Sequence, residues 1–150
     1  MALIEARLTE PDYGITVTDV MGHIIQLDIP EDQGGKGSGF RPMQAMIAAL
    51  CACSTVDVVS ILKKQRQQLE DLMISVDGER RQGVEPSLWE KVHLVFRIMG
   101  EVDPLKAERA VQLSMEKYCS VAETLRRAGA SITWEVRVND NQSNPVHGHA

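Results

Sequence analysis

The sequence predicts an α+β protein in which a long apolar helix lies between two groups of strands. Segments of alternating apolar and polar residues occur before and after a long apolar run that starts at Pro42. The resulting order, strands–helix–strands–helices–strand, is typical of α+β proteins. Because no linker is long enough to divide the chain, we expect a single domain over residues 1–138 and a polar tail over residues 139–150.

The composition argues against several classes of function. Apolar residues make up 43% of the 150 residues, which is enough for a core. A net charge of −5 and an aromatic content of 4% argue against a nucleic-acid partner. No signal peptide is visible, and polar residues from Gln44 to Asp57 interrupt the apolar run, so we expect no membrane span. Three cysteines in such a chain indicate a reducing, cytoplasmic setting.

The N-terminal part predicts strands followed by a loop. Residues 3–8 and 15–28 alternate as strands do, and Met21 and Gly22 form the turn of a hairpin. Residues 29–41 contain Gly-Gly-Lys-Gly-Ser-Gly. This run lacks the residue order of a phosphate-binding loop, so it is interpreted as a flexible connection.

The central helix is predicted over residues 42–66. Pro42 suits its first turn, where the missing N–H costs nothing. The first five turns are apolar on nearly every side, and a helix of that kind must be buried on every side. Since one short chain can hardly cover it completely, we expect a sheet on one side and a second subunit, in a homodimer, on the other.

The C-terminal part predicts two long strands, 72–81 and 89–99, and then helices. Asp103 is the expected N-cap of a helix over residues 104–118, with Pro104 in its first turn. Cys119 interrupts the helical pattern. The remaining features are a shorter helix with a capping box between Ser120 and Glu123, and a last strand after Gly129.

The cysteines are the candidate reactive residues. Cys51 and Cys53 lie about 200° apart on a helix, so they cannot share one metal ion or form an unstrained disulfide. Cys119 begins a helix, where backbone N–H groups favour a thiolate. Asp57 lies one turn after Cys53 and would raise its pKa unless an arginine is nearby. The alternative is that all three thiols only fill the core.

The histidines give no indication of a metal site. None of them has a spacing to a cysteine that is typical of a zinc motif. The four histidines are His23, His93, His147 and His149. The sequence therefore predicts no metal ion and no cofactor, and His147 and His149 are interpreted as solvated.

Two segments carry a family resemblance. Residues 42–59 contain Ala-Ala-Leu-Cys-Ala-Cys, and residues 118–125 read Tyr-Cys-Ser-Val-Ala-Glu-Thr-Leu. Together they resemble the OsmC/Ohr family of peroxiredoxin-like thiol peroxidases, in particular its OsmC-like branch. The resemblance implies a long central helix packed on a bent antiparallel sheet, in an intertwined homodimer.

The resemblance also implies a redox function for two of the thiols. Cys53 matches the peroxidatic cysteine and Cys119 the resolving one, with an organic hydroperoxide or another apolar small molecule as substrate. An external dithiol would be the reductant. Met43, Met46 and Leu50 are the candidates to line the substrate pocket.

Three features depart from the family pattern: the residues at positions 43 and 120, and the arginine partner, which no motif identifies. Met43 stands where active peroxidases carry a glutamate that pairs with an arginine, and Ser120 replaces a proline. Arg41 and Arg7 are the two candidates for the arginine that would assist Cys53. Gln44 and Asp57 complete the set of candidate supporting residues. These departures keep two alternatives open. One is a non-catalytic, stress-associated dimer that binds an apolar ligand at its interface, and the other is a structural dimer with inert thiols.

Overall fold

The computed structural model describes residues 3–9 and 11–140 and confirms the α+β fold class. The chain forms two compact units, Met1–Ala48 and Ala49–Ala150, and the long helix crosses their boundary. The end of the predicted domain at residue 138 stays a prediction. Most of the predicted tail, with His147 and His149, lies outside the described residues.

The first unit contains three short strands that form an antiparallel sheet: β1 (Ile4–Leu8), β2 (Ile15–Asp19) and β3 (Ile24–Leu27). Asp19 closes the turn between β2 and β3, because its carboxylate accepts hydrogen bonds from the N–H groups of Met21 and His23, both at 2.9 Å. Gly22 has a φ of 86°, which suits glycine. The structure thus contains the predicted hairpin.

The glycine-containing loop after β3 is organised around the buried side chain of Asp28. Its carboxylate accepts hydrogen bonds from the Ser38 hydroxyl at 2.7 Å and from the N–H groups of Ser38 at 3.1 Å, Lys36 at 3.3 Å and Ile29 at 2.7 Å. The bonds from Ser38 outweigh burial and lower the pKa of Asp28 to about 2. The loop interpreted as a flexible connection is therefore closed around one carboxylate.

We expect Asp28→Asn to lower the melting temperature at neutral pH, because an amide presents a donor where the loop needs only acceptors. A lowered pKa means that the carboxylate stabilises the fold above the usual aspartate pKa and loses this effect as the pH falls through about 2. The difference between variant and parent should therefore shrink between about pH 4 and pH 2. Calorimetric scans across this range would measure it. Asp32→Asn, an exposed carboxylate of the same loop, is the control, and equal effects of the two variants would contradict the prediction.

The second unit contains most of the central helix, a three-stranded sheet and two further helices. These elements are α1 (Pro42–Lys64), β4 (Gln68–Arg80), β5 (Trp89–Glu101), α2 (Pro104–Leu113), a π-helical turn (Ser114–Tyr118), α3 (Ser120–Arg127) and β6 (Ser131–Val138). β4 and β5 pair antiparallel, as expected, whereas β5 and β6 pair parallel. The expectation of a wholly antiparallel sheet is wrong at β6, because the helical connection returns the chain to the end where β5 began.

The core of this unit follows the side-chain periodicity of its elements. Every second residue of β5 is buried, from Val92 through Leu94 and Phe96 to Ile98. On α1 the buried residues are spaced by four: Leu50, Ser54, Val58 and Leu62. A spacing of four keeps side chains on one face of a helix, so α1 buries one stripe in the second unit.

The other faces of α1 are partly exposed in the single chain, and on these faces the sequence predicted a second subunit. Met46 is 39% exposed and Val56 is 65% exposed. In the described part of the chain, α1 is the one helix with the length and apolar composition of a membrane span, a property that core helices of soluble proteins share. Ser54 and Asp57 interrupt its apolar surface with hydrogen bonds inside the protein.

The helix ends agree only in part with the sequence prediction. Asp103 caps α2 as expected and accepts a hydrogen bond from the N–H of Leu105 at 2.8 Å. The predicted capping box is wrong, because Cys119 and not Ser120 is the N-cap of α3. Glu123 instead forms ion pairs with arginines 3 and 4 positions later on α3, Arg126 and Arg127.

Candidate functional site

Two elements of the second unit bring Cys53 and Cys119 together. Cys53 lies on α1, and Cys119 lies between the π-helical turn and α3. Their Sγ atoms and a carboxylate oxygen of Asp57 all lie within 4.8 Å of one another. We refer to Cys53, Asp57 and Cys119 as the Cys–Asp cluster. Cys53 and Asp57 are four residues apart on α1, so they share one face of the helix.

The π-helical turn places Cys119. Its N–H donates to the carbonyl oxygen of Ser114, five residues earlier, at 2.8 Å. The backbone of Cys119 is extended, with φ −73° and ψ 104°, so the residue separates two helices and caps the second. Single π-helical turns are rare and often occur at functional sites. Here the turn ends the preceding helix so that the thiol meets α1.

Two serines support the cluster. Ser54 donates from its hydroxyl to Cys119 Sγ at 3.6 Å, and the N–H of Ala122 donates to the same sulfur at 3.4 Å. The hydroxyl of Ser114 donates to Asp57 Oδ2 at 2.9 Å. Ser54 and Ser114 are both fully buried. Their hydrogen bonds hold the sulfur and the carboxylate in place.

The pKa of the Cys119 thiol is raised, although a helix start was expected to favour the thiolate. Burial is the main cause. The hydrogen bonds from Ala122 and Ser54 lower the pKa, and a hydrogen bond with Cys53 together with the Cys53 charge raises it. The helix N-terminus thus acts in the expected direction but is outweighed by desolvation. At neutral pH Cys119 is therefore a thiol that can share its proton with Cys53.

Cys51 lies outside the Cys–Asp cluster. It is half-buried, and burial raises the pKa of its thiol. Its carbonyl oxygen accepts a hydrogen bond from the Thr55 hydroxyl at 2.8 Å within α1. Its position, two residues from Cys53, agrees with the helical geometry predicted from the sequence. A space-filling role is sufficient to explain it.

Other predicted site residues belong to the first unit, and their roles stay predictions. Arg7 lies on the exposed strand β1, and Arg41 directly precedes α1. The side chain of Gln44 accepts a hydrogen bond from the N–H of Arg41 at 3.4 Å, so it caps the start of α1. Met43 is half-buried and Met46 is exposed.

Leu50 lies in the second unit and is fully buried. It is part of the apolar core there. The burial of Leu50 does not show whether it lines a substrate pocket, so that role stays a prediction.

Ser54 and Ser114 were not predicted as site residues. Ser54 has a usable signal, because it lies four residues after Leu50 and four before Val58 on the buried stripe. A serine at such a position needs a hydrogen-bond partner inside the protein. Ser114 gives a weaker signal, since its partner on α1 depends on a π-helical turn that no sequence pattern indicates.

Comparison with known proteins agrees with this fold. A family model described as OsmC-like protein matches residues 35–135. Protein YhfA of Escherichia coli strain K12 is 40% identical over 108 residues, which is 71% of this chain and 77% of that protein. A hypothetical protein of Aquifex aeolicus VF5 is 30% identical, with a TM-score of 0.76, and the match covers 93% of this chain and 98% of that one.

A more distant structure shows the same fold. An organic hydroperoxide resistance protein OsmC of Legionella pneumophila has a TM-score of 0.70 at 21% identity, over 92% of this chain and 97% of that one. The family model covers more than half of the chain, and it includes Cys53, Asp57 and Cys119. The chain therefore belongs to the OsmC-like protein family.

Proposed function

We propose that this protein is a cysteine-based peroxidase that reduces organic hydroperoxides in the cytoplasm as part of an oxidative stress response. The observation that carries the proposal is the proximity of the Cys53 and Cys119 sulfurs, within 4.8 Å of each other. Membership of the OsmC-like family supports a stress-related role. Cys53 is the more accessible of the two thiols and is assigned the attack on peroxide.

The first step is attack by the Cys53 thiolate on the terminal peroxide oxygen. A sulfur–oxygen bond forms and the oxygen–oxygen bond breaks, so Cys53 becomes a sulfenic acid. The departing alkoxide takes up a proton and leaves as an alcohol. The raised pKa of Cys119 agrees with this order, because Cys119 keeps its proton through the first step.

The second step joins the two sulfurs. The Cys119 sulfur attacks the sulfenic sulfur of Cys53, the sulfur–oxygen bond breaks, and hydroxide leaves with the Cys119 proton as water. A disulfide is about 2.05 Å long, so the sulfurs must approach by at most about 2.8 Å. Cys119 is a single extended residue between two helical segments, and rotation there can supply this movement.

The third step regenerates the thiols. An external dithiol attacks the disulfide, forms a mixed disulfide and closes its own disulfide. Cys119 is only 3% exposed, whereas Cys53 is half-buried. We therefore assign the attack of the reductant to the Cys53 sulfur.

The proposal includes a homodimer. The exposed apolar residues of α1, which include Val56, support a second subunit on this helix. The hydrodynamic size of the full chain would test this part of the proposal separately from catalysis.

A non-catalytic dimer that binds an apolar ligand is the second candidate. Two observations favour it. The largest effects on the pKa of Cys119 come from burial, from hydrogen bonds and from Cys53, and none of these is a basic side chain. The charged neighbour of Cys53 in the cluster is the carboxylate of Asp57. Met43 also stands where active peroxidases carry a glutamate. Slow oxidation of Cys53 would be the result expected from this candidate.

The proposal is tested by treating the reduced protein with one equivalent of cumene hydroperoxide. We expect the intact mass to fall by two hydrogens as a disulfide forms between Cys53 and Cys119. No lysine or arginine separates Cys51 from Cys53, so both lie in one tryptic peptide. Peptide mapping is therefore repeated on Cys51→Ser, which should form the same bond. Full retention of both thiols in peroxide would overturn the proposal and favour the binding protein.

A further inference from the structure

We propose that the reduced protein binds one thiophilic divalent cation of the zinc class through Cys53, Asp57 and Cys119. This site goes beyond the proposed peroxidase and uses the cluster in a second way. The sequence predicted no metal because the histidines had no zinc spacing to the cysteines. Among the histidine, cysteine, aspartate and glutamate side chains of the described residues, however, the three of the Cys–Asp cluster have donor atoms that converge on one point.

The donor atoms and their separations fit a zinc-class ion. Two thiolates and one carboxylate are ordinary zinc ligands, with zinc–sulfur bonds of about 2.3 Å. In a tetrahedron with such bonds the two sulfurs lie about 3.8 Å apart. The three donor atoms now lie within 4.8 Å of one another. Bringing the two sulfurs to that separation therefore requires a movement of about 1 Å or less, which is smaller than the movement that a disulfide needs.

Hydrogen bonds already orient two of the three ligands. Ser114 holds Asp57 Oδ2 at 2.9 Å, so the other carboxylate oxygen can face the cation. Ser54 and the N–H of Ala122 donate to Cys119 Sγ. Such outer contacts orient metal ligands in proteins and affect affinity by about 10- to 100-fold.

The charge of the cluster also fits a cation. The hydrogen-bond donors around it are two hydroxyls and one backbone N–H, all of them neutral. Asp57 forms no ion pair among the described residues. On binding, the cation would displace the thiol protons to solvent. It would then neutralise the thiolates and the Asp57 carboxylate, which the described side chains leave uncompensated. Buried or half-buried anionic groups normally have such compensation.

Three protein ligands leave a fourth position on a tetrahedral ion. Sites with an open position exchange their metal and bind small ligands more readily than closed structural sites. Cys53 is half-buried, so the open position can be reached from solvent. Because the cation occupies the Cys53 thiolate, metal binding and attack on peroxide exclude each other.

The test is an anaerobic titration of the reduced, tag-free full chain with Co²⁺. It uses a His147→Gln/His149→Gln background, which removes two other candidate ligands. We expect one equivalent of Co²⁺ to produce a thiolate-to-cobalt absorption band, and Zn²⁺ to abolish it by displacement. Asp57→Asn should weaken Co²⁺ binding at least tenfold, and Ser114→Ala should weaken it less.

The cysteine variants decide which thiols are the ligands. Cys53→Ser and Cys119→Ser should each lose the band or most of its intensity, whereas the matched control Cys51→Ser should keep it. Circular dichroism establishes that each variant is folded. Absence of the band in the folded parent, or its persistence in Cys53→Ser, would overturn the proposal.

The titration contains no peroxide, and peroxidase assays are run with a chelator, so the two proposals fail separately. A protein that binds Co²⁺ without reducing peroxide refutes only the peroxidase. A protein that reduces peroxide without binding Co²⁺ refutes only the metal site. Oxidation of the cluster to the disulfide should abolish the cobalt band, since both sulfur ligands are then consumed.

Discussion

Replacing Cys53 with serine should lower kcat/KM for an organic hydroperoxide by about 10³-fold or more, because a serine hydroxyl does not ionise near neutral pH and is a far weaker nucleophile than a thiolate. The change removes one nucleophile and keeps the size of the side chain. Consumption of cumene hydroperoxide with dithiothreitol as reductant, in the presence of a chelator, would measure the loss.

Two further variants serve as controls for this result. Cys51 lies on the same helix as Cys53 but outside the Cys–Asp cluster. The Cys51→Ser variant should therefore keep its peroxidase activity within about twofold of the parent. Cys119→Ser should complete one round of peroxide reduction and then accumulate oxidised Cys53, so its steady-state rate falls while its first turnover remains. Equal activity of Cys53→Ser and the parent would remove Cys53 from the mechanism.

The sequence indicated which two cysteines come together but not their surroundings. Cys53 and Cys119 were recognised from local helix positions and a family resemblance, and the structure brings their sulfurs together. Ser54 and Ser114 make hydrogen bonds to residues 65 and 57 positions away. Partners at such separations depend on how helices pack, and local periodicity does not contain this information.

The fold shows the same division between local and distant information. The hairpin and the start of α2 depend on residues within a few positions of one another, and they agree with the prediction. The parallel pairing of β6 with β5 depends on where the helical connection returns the chain. The direction of the pKa shift of Cys119 likewise depends on burial, which the sequence of α3 does not reveal.

The end of β5 shows how a non-local contact limits what the sequence can predict about strand boundaries. The sequence predicted β4 from residue 72, whereas β4 begins at Gln68. The additional residues at the start of β4 lie beside Gly100 of β5, which pairs with Leu69 next to a β-bulge. Gly100 has a φ of 133°. Asn139 holds Gly100 from the other side, because its side chain accepts from the Gly100 N–H at 3.0 Å and donates to the Gly100 carbonyl oxygen at 2.9 Å.

Gly100→Ala should therefore destabilise the protein by about 2–6 kcal/mol, the sum of backbone strain and overpacking. An added Cβ would lie 2.1 Å from the Gln68 carbonyl oxygen and 2.8 Å from the Glu70 nitrogen, both backbone atoms that cannot move aside as a side chain can. Urea unfolding, with the slope m compared between variants, would measure the loss.

Gly83→Ala separates the two causes. Gly83 also has a positive φ, 70°, but a Cβ there would meet no atom within 4 Å. It should cost only about 1 kcal/mol, since the left-handed conformation alone is strained. A loss at Gly100 no larger than that at Gly83 would show that β4 can shift away from Gly100. In that case the early start of β4 would depend on its other pairings with β5 and not on a glycine at this position.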